Sequence, residues 1–123
     1  MLKPPLIIAE AGELTIFRSV EGVEEHLEPV DVENGEYTAY DSTGRRLRLA
    51  VRERPRRILF GLFRLPSKEV YIDVAADEPD GTVDLRAALE AGLQKAGADP
   101  ARLRAASLGE LVTEAVQRMG ITR

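Results

Sequence analysis

A β-hairpin signal near the middle of the chain restricts the fold more than any other feature of the sequence. The run Tyr37–Tyr40 favours a strand, and Leu47, Leu49 and Val51 recur at every second position after it. The loop between them reads Asp-Ser-Thr-Gly. Its Asp and Ser can bond nearby backbone, and Gly44 can take the positive φ that closes a four- or five-residue hairpin loop. We therefore predict two antiparallel strands joined through Gly44.

The same alternation separates aliphatic from charged side chains. Leu47, Leu49 and Val51 point to one face of the predicted strand, and the even positions point to the other, where Ala50 lies among Arg46, Arg48 and Arg52. We call Arg46, Arg48 and Arg52 the arginine face. Since water must reach these guanidinium groups, the pattern predicts an antiparallel sheet covered on one side only.

Charge is distributed unevenly along the chain. Residues 1–41 carry ten acidic residues against two basic ones, and residues 45–68 carry nine basic residues against one acidic residue. Two interpretations remain open. The arginine face pairs with the acidic helices of the protein itself, or it forms an exposed basic patch that docks an acidic partner or a phosphate backbone.

The remaining elements follow from periodicity, caps and turn residues. In chain order we expect strands at 6–9 and 14–17, a short helix capped by Ser19 and ended by Pro29, a connector at 30–33, the central hairpin, a strand at 70–74 and C-terminal helices capped by Thr82 or Asp84, by Asp99 and by Ser107. Strands that mostly precede helices are typical of α+β folds. The sequence thus predicts an α+β fold of the order β-β-α-β-β-β-β, in which a mostly antiparallel sheet of about 5–6 strands carries the C-terminal helices on one face.

The length of 123 residues fits one domain with its own core. We expect a single domain over 1–123, strand-rich over 1–76 and helical over 82–120. The apolar run Ile58–Phe63 fits either a buried strand or an exposed loop, because periodicity does not separate the two. If this run is exposed, we expect a homodimer through it.

Several classes of site are disfavoured by composition. The chain has no cysteine and one histidine, His26, which we interpret as a surface residue at a helix end. Asp73, Asp77, Glu78 and Asp80 form the nearest acidic cluster but lack the spacing of a calcium-binding loop, so we predict no metal, no cofactor and no catalytic residue. The N-terminal run is interrupted by two prolines and no apolar stretch approaches the ~20 residues of a membrane span. We expect a cytoplasmic protein that does not bind membranes.

The arginine face is the group of residues that most suggests binding. Three further arginines follow it along the chain, and tyrosine and phenylalanine lie beside it in sequence. Arginine and aromatic residues are enriched at the energetic centres of protein interfaces. The predicted partner-binding residues are Arg46, Arg48, Arg52, Arg54, Arg56, Arg57, Tyr40, Phe60 and Phe63.

Part of the sequence resembles a group of small bacterial proteins. The segments 17–21, 27–32, 35–37 and 40–45, which read FRSVE, LEPVDV, GEY and YDSTGR, are similar to small uncharacterised bacterial proteins. Some of these are found near the immunity proteins that neutralise secreted or contact-delivered toxins. The resemblance covers residues 6–52 and implies a stand-alone cytoplasmic domain that acts by binding. It implies no catalytic residues.

Three functional hypotheses follow. The first is a non-enzymatic interaction domain, of the kind found among immunity-type inhibitors, that docks an acidic protein through the arginine face and its neighbours. The second is a nucleic-acid-associated module using the same surface, which is disfavoured by a sequence pI of about 5.1 where such domains exceed about 9. The third is a small-molecule enzyme, which no motif in the sequence supports.

Overall fold

The computed structural model describes residues 2–58, 61, 63–65, 67–74, 76 and 78–122 of the chain. The side chains of Arg56, Arg57, Ile58, Phe63 and Arg64 lie outside this description. The elements are β1 (Leu6–Glu10), β2 (Glu13–Phe17), α1 (Val20–His26), α2 (Pro29–Glu33), β3 (Thr38–Tyr40), β4 (Arg46–Glu53), β5 (Arg56–Ile58), β6 (Phe63–Leu65), β7 (Lys68–Asp73), α3 (Thr82–Lys95), α4 (Pro100–Ala105) and α5 (Leu108–Met119).

Five strands form one antiparallel sheet in the order β2-β1-β3-β4-β7. The prediction of an α+β fold with a five-stranded antiparallel sheet and C-terminal helices is confirmed. The short strands β5 and β6 form a separate two-stranded hairpin between β4 and β7. Each shares one residue with the undecided run Ile58–Phe63, and Arg56 and Arg57 of β5 belong to the segment that was expected to interrupt the strand. Much of the run Ile58–Phe63 lies outside the described residues, and the homodimer through it stays a prediction.

Helices pack on both faces of the sheet. Helices α3, α4 and α5 cover the face that carries Ile7, Ile16 and Tyr40, and together they enclose one buried cluster. On the opposite face, α1 and α2 cover Leu47 and Val70 in a second cluster. The expectation of a sheet covered on one side only was therefore wrong. Aliphatic side chains of β4 and β7 need an apolar cover, and α1 and α2 supply it.

The helix α2 was missed by the sequence analysis, which expected a connector at 30–33. Pro29 was read as the residue that ends α1, but α1 already ends at His26 and Pro29 occupies the first position of α2. A proline is favoured there because the first helical N–H has no intrahelical acceptor to lose. The five residues of α2 are too few to show a helical period, so only its packing against β4 reveals it.

Most predicted helix caps are present. Ser19 accepts a hydrogen bond from the Gly22 backbone N–H, Asp99 accepts one from Ala101, and Ser107 forms a capping box with Glu110. The cap of α3 was predicted wrongly. Gly81 occupies that N-cap position, and the Asp80 side chain accepts from the Thr82 backbone N–H at 2.9 Å.

The loop between β3 and β4 is held by a buried carboxylate. Asp41 is 1% exposed, and it accepts hydrogen bonds from the backbone N–H groups of Lys3, Thr43 and Arg45 at 3.3, 2.9 and 3.1 Å. The Thr43 hydroxyl donates a fourth, at 2.6 Å. The bonds within the loop are those that the Asp-Ser-Thr-Gly sequence predicted. The bond from Lys3 was not predicted, and it joins the N-terminal segment to the hairpin loop.

The same loop packs against the start of α3. Gly44 has φ +89°, and a Cβ at this position would lie 2.9 Å from the Thr82 Cα. The Gly81 N–H donates to the Gly44 carbonyl at 3.1 Å. The hairpin and α3 can approach this closely only because Gly44 has no side chain.

No helix among the described parts of the chain is long and apolar enough to cross a membrane.

We expect Gly44→Ala to lower the free energy of unfolding by about 3 kcal/mol, since it combines backbone strain with a clash against α3. Gly35→Ala is the matched control, because Gly35 also has a positive φ, +71°, but a Cβ there meets no atom within 4 Å. Strain alone should cost this variant about 1 kcal/mol. Urea denaturation of both variants checks the difference, and equal losses would show that the loop does not depend on its contact with Thr82.

Candidate partner-binding surface

The arginine face lies on an uncovered part of the sheet. Arg46, Arg48 and Arg52 are all exposed on one side of β4, as the alternation predicted. This side of the sheet is the one that the C-terminal helices cover, but their buried cluster draws on β1, β2 and β3 and on no described residue of β4 or β7. The guanidinium groups therefore remain in water beside the helical layer.

Two of the arginines are bound within the protein. Arg52 and Arg54 both form ion pairs with Glu69 on β7, and the Arg54 contact measures 3.0 Å. The Arg52 guanidinium also lies 4.9 Å from the centre of the Tyr71 ring, at cation–π distance. Both arginines hold the pKa of Glu69 below its ordinary value through these hydrogen bonds.

Self-pairing thus occurs, but not with the acidic helices that the sequence suggested. Several acids of the helices have partners of their own. For example, Glu114 on α5 accepts from both terminal nitrogens of Arg102 at 2.6 and 2.7 Å and from Arg118 at 3.0 Å. A neighbouring strand brings Glu69 to Arg52, because cross-strand neighbours lie about 5 Å apart. Helices α3, α4 and α5 lie over β1, β2 and β3, and α1 and α2 lie on the opposite face of the sheet.

Arg46 and Arg48 form no ion pair with any described residue. Asp73 lies opposite Arg48 in the β4–β7 register. Of the predicted binding residues with described side chains, these two arginines are the ones whose charge is left for a partner.

None of the three aromatic residues of the predicted surface can be placed on it. Tyr40 was expected beside the arginines, but it is 4% exposed and packs into the cluster beneath α3, with its ring close to Gly81. Burial, followed by the charge of Asp84, raises the pKa of Tyr40, so its phenol stays neutral. Tyr40 is therefore a core residue. Phe60, and the side chains of Arg56, Arg57 and Phe63, lie outside the described residues.

The structure adds a feature that the sequence analysis missed, an unpaired backbone edge on β4. Strand β3 pairs with β4 only at Arg46 and Leu47, and the register ends there. From Arg48 to Glu53 no described strand lies on that side of β4, although β7 pairs with it on the other side throughout. The unequal lengths of the two predicted strands were the available signal, since a short strand cannot cover a long one.

A groove follows this edge. Two adjoining concavities of about 430 and 180 Å³ share Val32, Arg48 and Leu49 in their walls. Helix α2 forms one wall, while Arg48 and Arg52 line the other. The groove is open and partly apolar, which suits an extended segment better than an enclosed small molecule.

An acidic group lies at the end of β1. Glu10, Asp31 and Glu36 bring carboxylate oxygens within 4.8 Å of one another, and the Tyr37 hydroxyl donates to Asp31 at 3.3 Å. Its hydrogen bond to Asp31 and the negative charge there raise the pKa of Glu36. The predicted cluster around Asp73 does not include these residues, which come together from three parts of the chain. Two of the three are half-buried and one is exposed, an arrangement that solvated acids often adopt.

His26 is exposed at the end of α1, as predicted, and its ring meets the Phe17 ring edge-on at 5.4 Å between centres. Among the described residues, no acid or base is hydrogen-bonded to it.

Comparison with protein-family models, with curated proteins and with solved structures finds no match to this chain.

We expect Glu69→Gln to flatten the loss of stability in acid. A lowered folded-state pKa means that Glu69 contributes stability above its ordinary pKa of 4.5 and loses that contribution as the pH falls through the folded value. Urea midpoints measured between pH 3 and 7 should therefore fall less steeply for the variant than for the parent. Identical slopes would show that Arg52 and Arg54 do not bind Glu69 in solution.

Glu36→Gln should act in the opposite direction. Because the pKa of Glu36 is raised, its contribution is present below 4.5 and is lost as the pH rises through the folded value. The variant should be more stable than the parent at pH 7, with the difference shrinking toward pH 4. A variant that is less stable at pH 7 would contradict the repulsion between Glu36 and Asp31.

Proposed function

We propose that this protein is a non-enzymatic interaction domain that docks an acidic protein partner through Arg46 and Arg48 of the arginine face. The observation that carries the proposal is the pair Arg46 and Arg48, two exposed arginines on one face of β4 without an ion pair among the described residues. Arginines held on a strand are well placed for a partner, because a rigid backbone limits the entropy lost on binding.

The surrounding surface supports a protein rather than a nucleic acid. Single-stranded nucleic acids stack their bases on exposed aromatic rings. Tyr40 is inside the core and Tyr71 lies beneath Arg52, so neither ring is offered freely beside the arginines. Arg52 and Arg54 are partly neutralised by Glu69, which also reduces the charge available to a phosphate backbone.

The resemblance noted within residues 6–52, to small bacterial proteins of which some are found near immunity proteins, implies a binding role, with an inhibitor as one form of it. An inhibitor that acts by binding needs a rigid complementary patch rather than a catalytic site. The turn held by Asp41 fixes one end of β4 and so supplies such rigidity.

The charge-reversed variant Arg46→Glu/Arg48→Glu tests the proposal. We expect it to retain the fold by circular dichroism and to bind the partner about 30-fold more weakly, since interface arginines of this kind contribute about 2 kcal/mol. Arg52 is left unchanged because its reversal would place a second acid against Glu69. The matched control is Arg18→Glu/Arg104→Glu, which changes net charge equally at two exposed arginines elsewhere.

The readout is affinity capture from nuclease-treated lysate of the source cells, with the captured protein then titrated in purified form. Capture that is lost with the arginine-face variant and kept with the control agrees with the proposal. Equal capture by both variants contradicts it. Material that is released by nuclease, with an affinity that falls steeply with salt, would favour the nucleic-acid alternative.

A further inference from the structure

The backbone of β4 is asymmetric in its hydrogen bonding. The Arg54 N–H donates to the Ser67 carbonyl at 2.8 Å, so even-numbered residues of the strand direct their backbone groups toward β7. The Asp41 N–H donates to the Arg45 carbonyl at 2.9 Å, so odd-numbered residues direct theirs toward β3. Alternation of this kind is a property of every antiparallel ladder.

Three odd-numbered residues lie beyond the end of β3. Leu49, Val51 and Glu53 therefore aim N–H and C=O groups away from β7, and no described strand pairs with them on that side. Unpaired donors and acceptors along a strand are a template for a further strand.

On each of the other two edges of the sheet, one described hydrogen bond reaches the outer side of the strand. At β2, the Thr122 N–H donates to the Ile16 carbonyl, and Thr122 bridges Phe17 in parallel. At β7, the Glu24 carboxylate accepts from the Ile72 N–H at 3.0 Å. No such hydrogen bond among the described residues reaches the backbone of Leu49, Val51 or Glu53, and this part of β4 lies beside the groove that α2 forms with the strand.

We propose that this groove receives an extended segment of a partner protein, which adds to the sheet as a strand beside Leu49–Glu53 and alternates acidic and apolar side chains. The proposal rests on the function proposed above and specifies how its partner is recognised. Main-chain hydrogen bonds would supply affinity, and alternate side chains would supply specificity.

The required alternation follows from the two walls of the groove. A strand added here sends every second side chain to the α2 side, where Val32, Leu49 and Val51 offer apolar contact. The side chains between them reach the opposite face, close to Arg48 and Arg52. Apolar residues suit the first set and carboxylates the second.

A second copy of the chain fits this edge poorly. Antiparallel pairing of β4 with β4 would set Arg48 of one copy against Arg52 or Arg54 of the other, and like charges directly opposite each other destabilise a ladder. Acidic residues on the rim of the groove would repel a negatively charged segment. Glu33 has little such effect, because it forms an ion pair with Lys68 at 3.1 Å. Glu53 lies at the far end of the edge.

Amide hydrogen exchange of the free protein is the first measurement. The N–H groups of Leu49 and Val51 should exchange at least tenfold faster than those of Arg48 and Ala50, which point to β7. Equal protection of the four amides would overturn the proposal, because the edge would already be paired.

The second measurement uses a displayed library of random decapeptides selected on the intact protein. Selected peptides should alternate acidic and apolar residues, and adding one of them should slow exchange at Leu49 and Val51 at least tenfold. In an added strand, only every second peptide amide faces β4. N-methylation of that set of amides should weaken binding at least tenfold. N-methylation of the alternate amides that face away from β4 is the matched control and should have little effect.

The outcomes separate this inference from the proposed function. Peptides that need Arg46 and Arg48 but respond equally to both methylation patterns, or a library that yields no binder, would overturn strand addition and leave the acidic partner standing. Peptides that respond to only one methylation pattern but lack acidic residues, and that bind Arg46→Glu/Arg48→Glu as tightly as the parent, would overturn the acidic partner and the acidic half of the alternation while leaving strand addition standing. A β4-mediated dimer by sedimentation, abolished by Val51→Pro, would also overturn the inference.

Discussion

The buried carboxylate of Asp41 organises the parts of the protein on which the candidate surface depends. It accepts hydrogen bonds from Lys3, Thr43 and Arg45, and so joins the segment before β1 to the loop between β3 and β4. A buried charge is costly unless several donors surround it. Those donors exist only when the N-terminal segment and the hairpin loop are both in place, so the two form together. Gly44 then lets the loop lie against the start of α3.

That arrangement fixes the end of β4 nearest the loop, whereas the far end has no described strand on its β3 side. Near the loop, β4 lies between β3 and β7, whereas beyond Leu47 it keeps only β7. The helices α3, α4 and α5 continue the same division, because they lie over β1, β2 and β3. The unpaired backbone edge follows from the short length of β3 relative to β4, whereas the arginines are exposed because α3, α4 and α5 lie over β1, β2 and β3.

Much of the architecture could be predicted from local chemistry. The caps at Ser19, Asp99 and Ser107 and the hairpin loop at Gly44 were identified correctly, because each depends on a side chain bonding backbone within a few residues. The errors fell where the decisive neighbour is remote in sequence. Helix α2 exists because it packs on β4, and Tyr40 is buried because α3 lies above it.

The sequence by itself determined which β4 side chains share a face, because alternation is a geometric property of an extended chain. It therefore identified Arg46, Arg48 and Arg52 as one set. Only the tertiary structure decided that Glu69 binds Arg52, that Arg46 and Arg48 form no ion pair with the residues it describes, and that the β4 edge is open. These properties depend on which strand becomes the neighbour and where its pairing ends, and long-range packing rather than local pattern sets both.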